Sequence, residues 1–309
     1  MKSVRIHTYG GPEVLVYEDA PRPTPGTGEV LIRVHAAGVN PVDWKVREGY
    51  VKQWITHSLP LIPGWDVSGV VEAAGPGARR LQKGDEVYSR PDISRDGAYA
   101  QYIVVRESEV AIKPESLDHI HAAAIPLAAL TAWQALFDAA GLGAGQKVLI
   151  HAAGGGVGSF AVQLAKWKGA HVIGTASKRN HDFLRTLGAD ETIDYTATRF
   201  EDAVRNVDVV LDTMGGDTQK RSWKVLRKGG ILVSILTAPP PEEAAAHGMR
   251  QAYTFVQPNA AQLVEIAKLA DSGKLRPVVE TVLPLPEARR AQELSQAGHV
   301  RGKIVLRVA

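Results

Sequence analysis

Apolar positions in the first third of the chain fall in short runs broken by glycine and proline. "EVLIRVHAAG" and "VSGVVEAAG" mix β-branched residues with glycine stops, and "KGDEVYSR" and "GAYAQYIVVR" continue the pattern. "PTPGTG", "GPG" and "KGD" punctuate these runs as turns. So many short strands predict a barrel-like or irregular β domain.

Near Leu117 the texture changes. "LDHIHAAAIPLAALTAWQALFDAAG" is alanine-rich and helix-prone, with a break expected at Pro126. Strands and helices then alternate. "QKVLIHAA" reads as strand and "VGSFAVQLAKWKG" as helix, with Val157, Ala161, Leu164 and Ala165 at helical spacing. "HVIGTA" (strand), "NHDFLRTLGA" (helix), "DVVLDT" (strand), "DTQKRSWKVLRKG" (helix) and "GILVSI" (strand) follow. "QAYTFV" is a further candidate strand, and "AAQLVEIAKLADSG" a helix. This alternation predicts a mostly parallel sheet covered on both faces. "TAPPPEEAAAHG" reads as a surface loop, and the tail ends in a strand-like run that can return to the first domain. The expected organisation is a first domain over 1–123, a nucleotide domain over 124–274, and a return over 275–309.

Composition narrows the chemistry. The net charge of +3 is spread along 309 residues without a basic block, so a pocket for an anionic ligand is expected rather than a nucleic-acid face. With no cysteine, disulfides, Fe–S clusters, thiolate zinc sites and a cysteine nucleophile are excluded. The most apolar stretch carries Pro126, Gln134 and Asp138 and falls short of a membrane span. No leader pattern is visible in "MKSVRIHTYG", and a cytoplasmic protein is expected.

The strongest local signal is Ala153-Gly154-Gly155-Gly156-Val157-Gly158, between a predicted strand and helix. It fits the relaxed dinucleotide pattern. Gly155 lets the backbone approach a diphosphate, Gly158 lets helix and strand pack closely, and the amides at Gly156 and Val157 open the helix toward an anion. An NAD site wants a carboxylate on the second strand, about 20 residues on. Here that strand ends Gly174-Thr175-Ala176-Ser177-Lys178-Arg179. A hydroxyl and two cations suit a third phosphate, so Ser177, Lys178 and Arg179 are its expected contacts and NADPH the expected cofactor, with Thr175 a further expected cofactor-binding residue. Asp212, in "DVVLDTMGG", is a candidate for cofactor contact or for capping its own loop.

Taken in order, "GGPEVL", "GEVLIRVHAAGVNPVDWKVREG", "PGWDVSGVVEAAGPG", "GDEVY", "GAYAQY", "AAIPLAALTAWQAL", "AAGGGVGSFAVQLAK", "LGAD", "DVVLDTMGG" and "GKIVL" span nearly the whole chain. The sequence resembles zinc-independent members of the medium-chain dehydrogenase/reductase superfamily, in the quinone oxidoreductase group. The resemblance implies a Rossmann doubly wound parallel sheet inserted in a GroES-like β-barrel domain, with the active site in the cleft, and a homodimer. It implies reduction of quinones, or of the C=C bond of enals and enones, with NADPH. Zinc-dependent relatives place a cysteine where this chain has Asn40 and a Gly-His-Glu segment where it has Gly64-Trp65-Asp66.

By the same resemblance Asn40 orients substrate or cofactor, and Lys45 binds cofactor or steadies a developing oxyanion. Asp43 braces their loop and is a candidate partner for Lys45. Trp44 and Trp65 are candidate pocket walls. Thr131 matches a threonine near the nicotinamide, which Ile235 and Leu236 border from the other side. Without a metal Lewis acid, an already activated acceptor is the natural substrate, because hydrogen-bond donors can stabilise its delocalised charge. Two other readings stay open: a non-catalytic NADPH-binding protein with a structural, regulatory or RNA-binding role, and a zinc-free NADP-dependent alcohol dehydrogenase.

Overall fold

The chain opens with a hairpin, β1 (Lys2–Ile6) and β2 (Leu15–Asp19), paired antiparallel. The computed structural model describes residues 1–309. Next come β3 (Glu29–Val39), β4 (Val67–Ala74), β5 (Glu86–Ser89), β6 (Tyr102–Arg106) and β7 (Val110–Ile112). β3 is the spine of this sheet and pairs antiparallel with both β4 and β6. Its alternate residues Val30, Ile32, Val34 and Ala36 are fully buried, the period-2 pattern of a strand packed on a core. The β3–β4 register shifts twice, between Leu31 and Ile32 and between Val34 and Ala36. Such irregularities bend a strand and let one sheet curl into a barrel-like domain.

The parallel sheet follows: β8 (Lys147–Ile150), β9 (His171–Ala176), β10 (Glu191–Asp194), β11 (Val207–Asp212), β12 (Leu226–Ser234) and β13 (Arg250–Tyr253). Its spatial order is β10-β9-β8-β11-β12-β13. The order therefore reverses between β8 and β11, where open α/β sheets bind ligands beyond their carboxyl ends. Consecutive residues Val148, Leu149 and Ile150 are all buried, as a sheet covered on both faces requires. One face packs Leu149, Ile173, Val210 and Leu232 with Phe200 and Trp223.

Two expectations need correction. The helix read through "DTQKRSWKVLRKG" spans only Gly216–Ser222, and Leu226 already starts β12. Gly229, at φ +74, cannot continue a helix. The helix Ala260–Asp271 falls within the span expected for the nucleotide domain but groups with the first unit. Tyr88 Oη donates to Leu263 O at 2.6 Å, and Asp271 Oδ1 accepts from both the amide and the hydroxyl of Ser116. The two compact units are Met1–Leu130 with Gln257–Ala309, and Thr131–Val256.

The return segment carries β14 (Val279–Pro284), the helix Ala288–Ala297 and β15 (Lys303–Arg307). β15 pairs parallel with β14 and antiparallel with β3, setting Ile304 opposite Val39. That pairing brings Lys303 beside the end of β3, next to Asn40.

Candidate functional site

In the first unit, Asn40 caps the helix Pro41–Arg47, the element that carries Asp43 and Lys45. Pro41 suits the first helical position, where no amide partner is needed. Asp43 accepts the Asn40 amide at 2.8 Å, closing the first turn. The side chains of Asn40, Asp43, Asp66 and Lys303 are all buried.

Lys303 Nζ donates to Val39 O at 3.0 Å, to Asp66 Oδ2 at 3.2 Å, and to Asn40 Oδ1. Asn40 Nδ2 donates to the same Asp66 oxygen at 2.8 Å, while Asp66 Oδ1 accepts the Leu127 amide at 2.6 Å. Burial pushes the Asp66 carboxyl above its ordinary range, and the Lys303 ammonium pulls it back. An ammonium thus sits among oxygen atoms of Asn40, Asp66 and Val39. No group of three or more His, Cys, Asp or Glu is placed to hold a metal.

Asp43 does not pair with Lys45. Its Oδ2 accepts Tyr99 Oη at 2.8 Å as well as the Asn40 amide, and its buried Oδ1 has no partner. Burial without a contacting cation raises its pKa to about 7. Lys45 is half-buried and has no carboxylate partner. Its ammonium lies 5.6 Å from the Trp44 ring centre, and burial lowers its pKa. Trp65 is no pocket wall: it is fully buried, and its Nε1 donates to Arg95 O at 3.1 Å. The carboxamide of Asn40 is likewise committed to Lys303 and Asp66.

In the second unit, β8 runs into the glycine turn and the helix Gly156–Trp167. A Cβ on Gly158 would stand 2.4 Å from Ala152 O, so only glycine allows this close packing of helix and turn. Gly155 differs: it has ordinary extended backbone, and a Cβ there would meet only Ala152 O, at 3.4 Å. The space before Gly155 is open, and the amides of Gly156, Val157 and Gly158 begin the helix without intrahelical acceptors. This cradle fits a dinucleotide diphosphate.

Ser177 is half-buried and Lys178 and Arg179 are exposed, just beyond β9 and with no carboxylate among them. Thr175 is buried, and its hydroxyl serves the turn: it accepts the Ala152 amide at 3.2 Å and lies 3.3 Å from His151 Nδ1. Asp212 caps its own loop. It accepts Met214 N, Gly215 N, Gln219 Nε2 and Ser234 Oγ at 2.8–3.0 Å, which commits both carboxylate oxygens. Ile235 is half-buried and Leu236 exposed, directly after β12; Thr131 is buried on the helix Pro126–Trp133. Thus turn, basic segment and Asp212 loop gather at the carboxyl ends of β8, β9 and β11.

Comparison with known proteins decides the family. The GroES-like domain of alcohol dehydrogenases matches residues 26–115, and a family described as zinc-binding dehydrogenase matches residues 187–306. The mouse mitochondrial NAD(P)H oxidoreductase RTN4IP1 is 36% identical over 91% of this chain and 82% of its own. The chloroplastic NADPH-dependent alkenal/one oxidoreductase of Arabidopsis thaliana is 36% identical, over 99% of this chain and 79% of its own. The chain belongs to the medium-chain dehydrogenase/reductase superfamily. A quinone oxidoreductase structure from Coxiella burnetii superposes with a TM-score of 0.92 at 38% identity, covering 100% of this chain and 99% of that one.

Within the superfamily it is a zinc-independent member related to the quinone and enone oxidoreductases. Its first unit is the GroES-like domain and its second the Rossmann-like one, and it is an NAD(P)H-dependent oxidoreductase. The cytoplasmic expectation is corrected: the mouse relative is mitochondrial and the Arabidopsis relative chloroplastic. Bulk composition does not encode a compartment. No helix is long and apolar enough to cross a membrane.

Sequence reading missed Lys303 and His151. "GKIVL" held the first signal, a lysine entering a strand of buried neighbours; "LIHAAGGG" held the second, a histidine just after a buried strand. Both were seen without their partners, which lie far away in sequence.

Proposed function

We propose that this enzyme uses NADPH to reduce quinones, or the C=C bond of α,β-unsaturated carbonyl compounds, without a metal and as a homodimer. The observation that carries the acceptor class is the Lys303–Asp66–Asn40 cluster. The Lys303 ammonium occupies oxygen atoms of Asn40 and Asp66, so these side chains are committed to it and not to a Lewis acid, and an ordinary ketone would lack that activation. A conjugated acceptor needs only hydrogen-bond donors or a cation near the oxygen that gains charge. The relatives named for alkenal/one and quinone reduction support both acceptor classes.

The dinucleotide supplies the hydride when bound. The amides of Gly156, Val157 and Gly158 hold the diphosphate; Gly155 leaves room for it. Ser177, Lys178 and Arg179 receive the third phosphate and set the preference for NADPH over NADH. Ile235, Leu236 and Thr131 border the nicotinamide. Lys45 steadies negative charge on the acceptor oxygen, helped by a semi-apolar setting that strengthens the field of its ammonium. Asn40 and Asp43 position the helix that presents it. The proton that completes reduction comes from solvent.

Parallel turnover of NADPH and NADH against 1,4-benzoquinone and a 2-alkenal tests this reading. We expect NADPH oxidation with at least one acceptor, at a kcat/KM about tenfold or more above that with NADH. No oxidation of either dinucleotide across the panel, or NADP-linked oxidation of a plain alcohol alone, overturns it.

A further inference from the structure

The interior of the nucleotide domain holds a buried imidazole beside the glycine turn. His151 is 1% exposed and directly follows β8, one residue before Ala152 opens the glycine turn. Its Nε2 lies 2.9 Å from Ser222 Oγ, and its Nδ1 3.3 Å from Thr175 Oγ1. Phe200 packs edge-on against the ring at 4.6 Å.

The directions of these bonds follow from counting hydrogens. The Ser222 hydroxyl donates its one proton to Thr218 O at 2.7 Å, so Ser222 Oγ can only accept from His151. Nε2 therefore carries the imidazole proton and Nδ1 the lone pair. The Thr175 hydroxyl donates to that lone pair, leaving its oxygen to accept the Ala152 amide at 3.2 Å. Ala152 is at φ +46, a left-handed conformation in which alanine is disfavoured, and it is the first residue of the turn. Two bonds flank it: the Ala153 amide donates to Thr175 O at 3.0 Å, and the Thr213 hydroxyl donates to His151 O at 2.7 Å. Burial holds the ring neutral by lowering its pKa to about 4, with Asp212, Glu201 and Arg221 the charges that face it.

We propose that His151 is a positioning residue for the dinucleotide. Through Thr175 it fixes the strained Ala152 amide, and so aims the following turn at the diphosphate. The chain of bonds has one polarity, Ala152 to Thr175 to His151 to Ser222 to Thr218. It depends on an acceptor at Nδ1 and only secondarily on the donor at Nε2. This inference rests on dinucleotide binding by the second unit.

The acceptor requirement gives an asymmetric test. An asparagine amide overlays Nδ1, so His151→Asn keeps the acceptor; a glutamine amide overlays Nε2, so His151→Gln loses it. Dissociation constants for NADPH and NADH would be measured by protein fluorescence on wild type, His151→Asn, His151→Gln and Thr175→Val. Inhibition by 2′-AMP, which has no diphosphate, would be measured alongside. We expect His151→Gln and Thr175→Val to weaken both dinucleotides about tenfold, His151→Asn to stay within about threefold of wild type, and 2′-AMP to be unaffected throughout. Thr175→Val keeps size and shape, so it tests the idea even if a histidine variant fails to fold. Equal affinities in wild type, His151→Gln and Thr175→Val overturn the proposal, as does a parallel loss of 2′-AMP. Wild-type protein that binds neither dinucleotide overturns instead the dinucleotide reading on which the proposal rests.

Discussion

Lys303 Nζ and Asp66 Oδ2 lie 3.2 Å apart with both side chains almost wholly buried, joining β15 to the start of β4 across 237 residues of chain. A buried pair of this kind is costly to break from one side, because the survivor keeps its charge without water. Lys303→Met should therefore destabilise folding by about 3–5 kcal/mol in urea denaturation. Adding Asp66→Asn should recover part of that loss. A double variant as unstable as the sum of the singles would show that the two groups do not interact.

Gly155 and Gly158 should respond to alanine in opposite ways. At Gly158 the new methyl meets backbone at 2.4 Å, so Gly158→Ala should lose about 1–3 kcal/mol of stability. At Gly155 nothing but Ala152 O is near, at 3.4 Å, so Gly155→Ala should melt within a degree or two of wild type. It should nonetheless bind NADPH at least tenfold more weakly, since the methyl stands where the diphosphate approaches. Thermal melts and a binding titration on the same preparations check both halves.

Asp43 imposes a pH dependence on stability. Its pKa rises from 3.8 to about 7 on folding, so the folded chain holds this proton more tightly than the unfolded one. The contribution is complete below about pH 4 and is lost as the pH rises through about 7. Wild-type stability relative to Asp43→Asn should fall across that window and be level outside it. A flat difference from pH 4 to 8, by denaturant titration, would mean that Asp43 is ionised and paired in solution.

Lys45 should matter to turnover more than to cofactor affinity. Lys45→Met is expected to lower kcat/KM about tenfold or more for quinone or enal while leaving the NADPH dissociation constant within about twofold. Burial lowers its pKa, so the alkaline limb of the wild-type pH profile should fall below 10.5. Lys45→Arg, with its permanently charged side chain, should move that limb upward.

Legibility followed sequence distance. The glycine turn, the following helix and the basic end of β9 are local features, and their residue types state their geometry. The alternation of apolar runs foretold the parallel sheet, because strands covered on both faces lack polar positions. What stayed hidden was pairing across the chain. Asn40 reads as a group that orients substrate or cofactor until Lys303, 263 residues away, is seen on its carbonyl oxygen. Asp212 reads equally well as a ligand or a cap until Gln219 and Ser234 are found to share its Oδ2. Lys45 and Asp43 are two apart on one helix and so face different directions, a geometric reason why their expected ion pair does not form.

Titration of the protein with NADPH and NADH, in wild type and in the Lys178→Ala/Arg179→Ala double variant, tests whether the basic turn after β9 selects the dinucleotide. Wild type should bind NADPH at least tenfold more tightly than NADH, and the double variant should lose this preference while still binding NADH. Equal affinity for the two in wild type, or a preference for NADH, would contradict it.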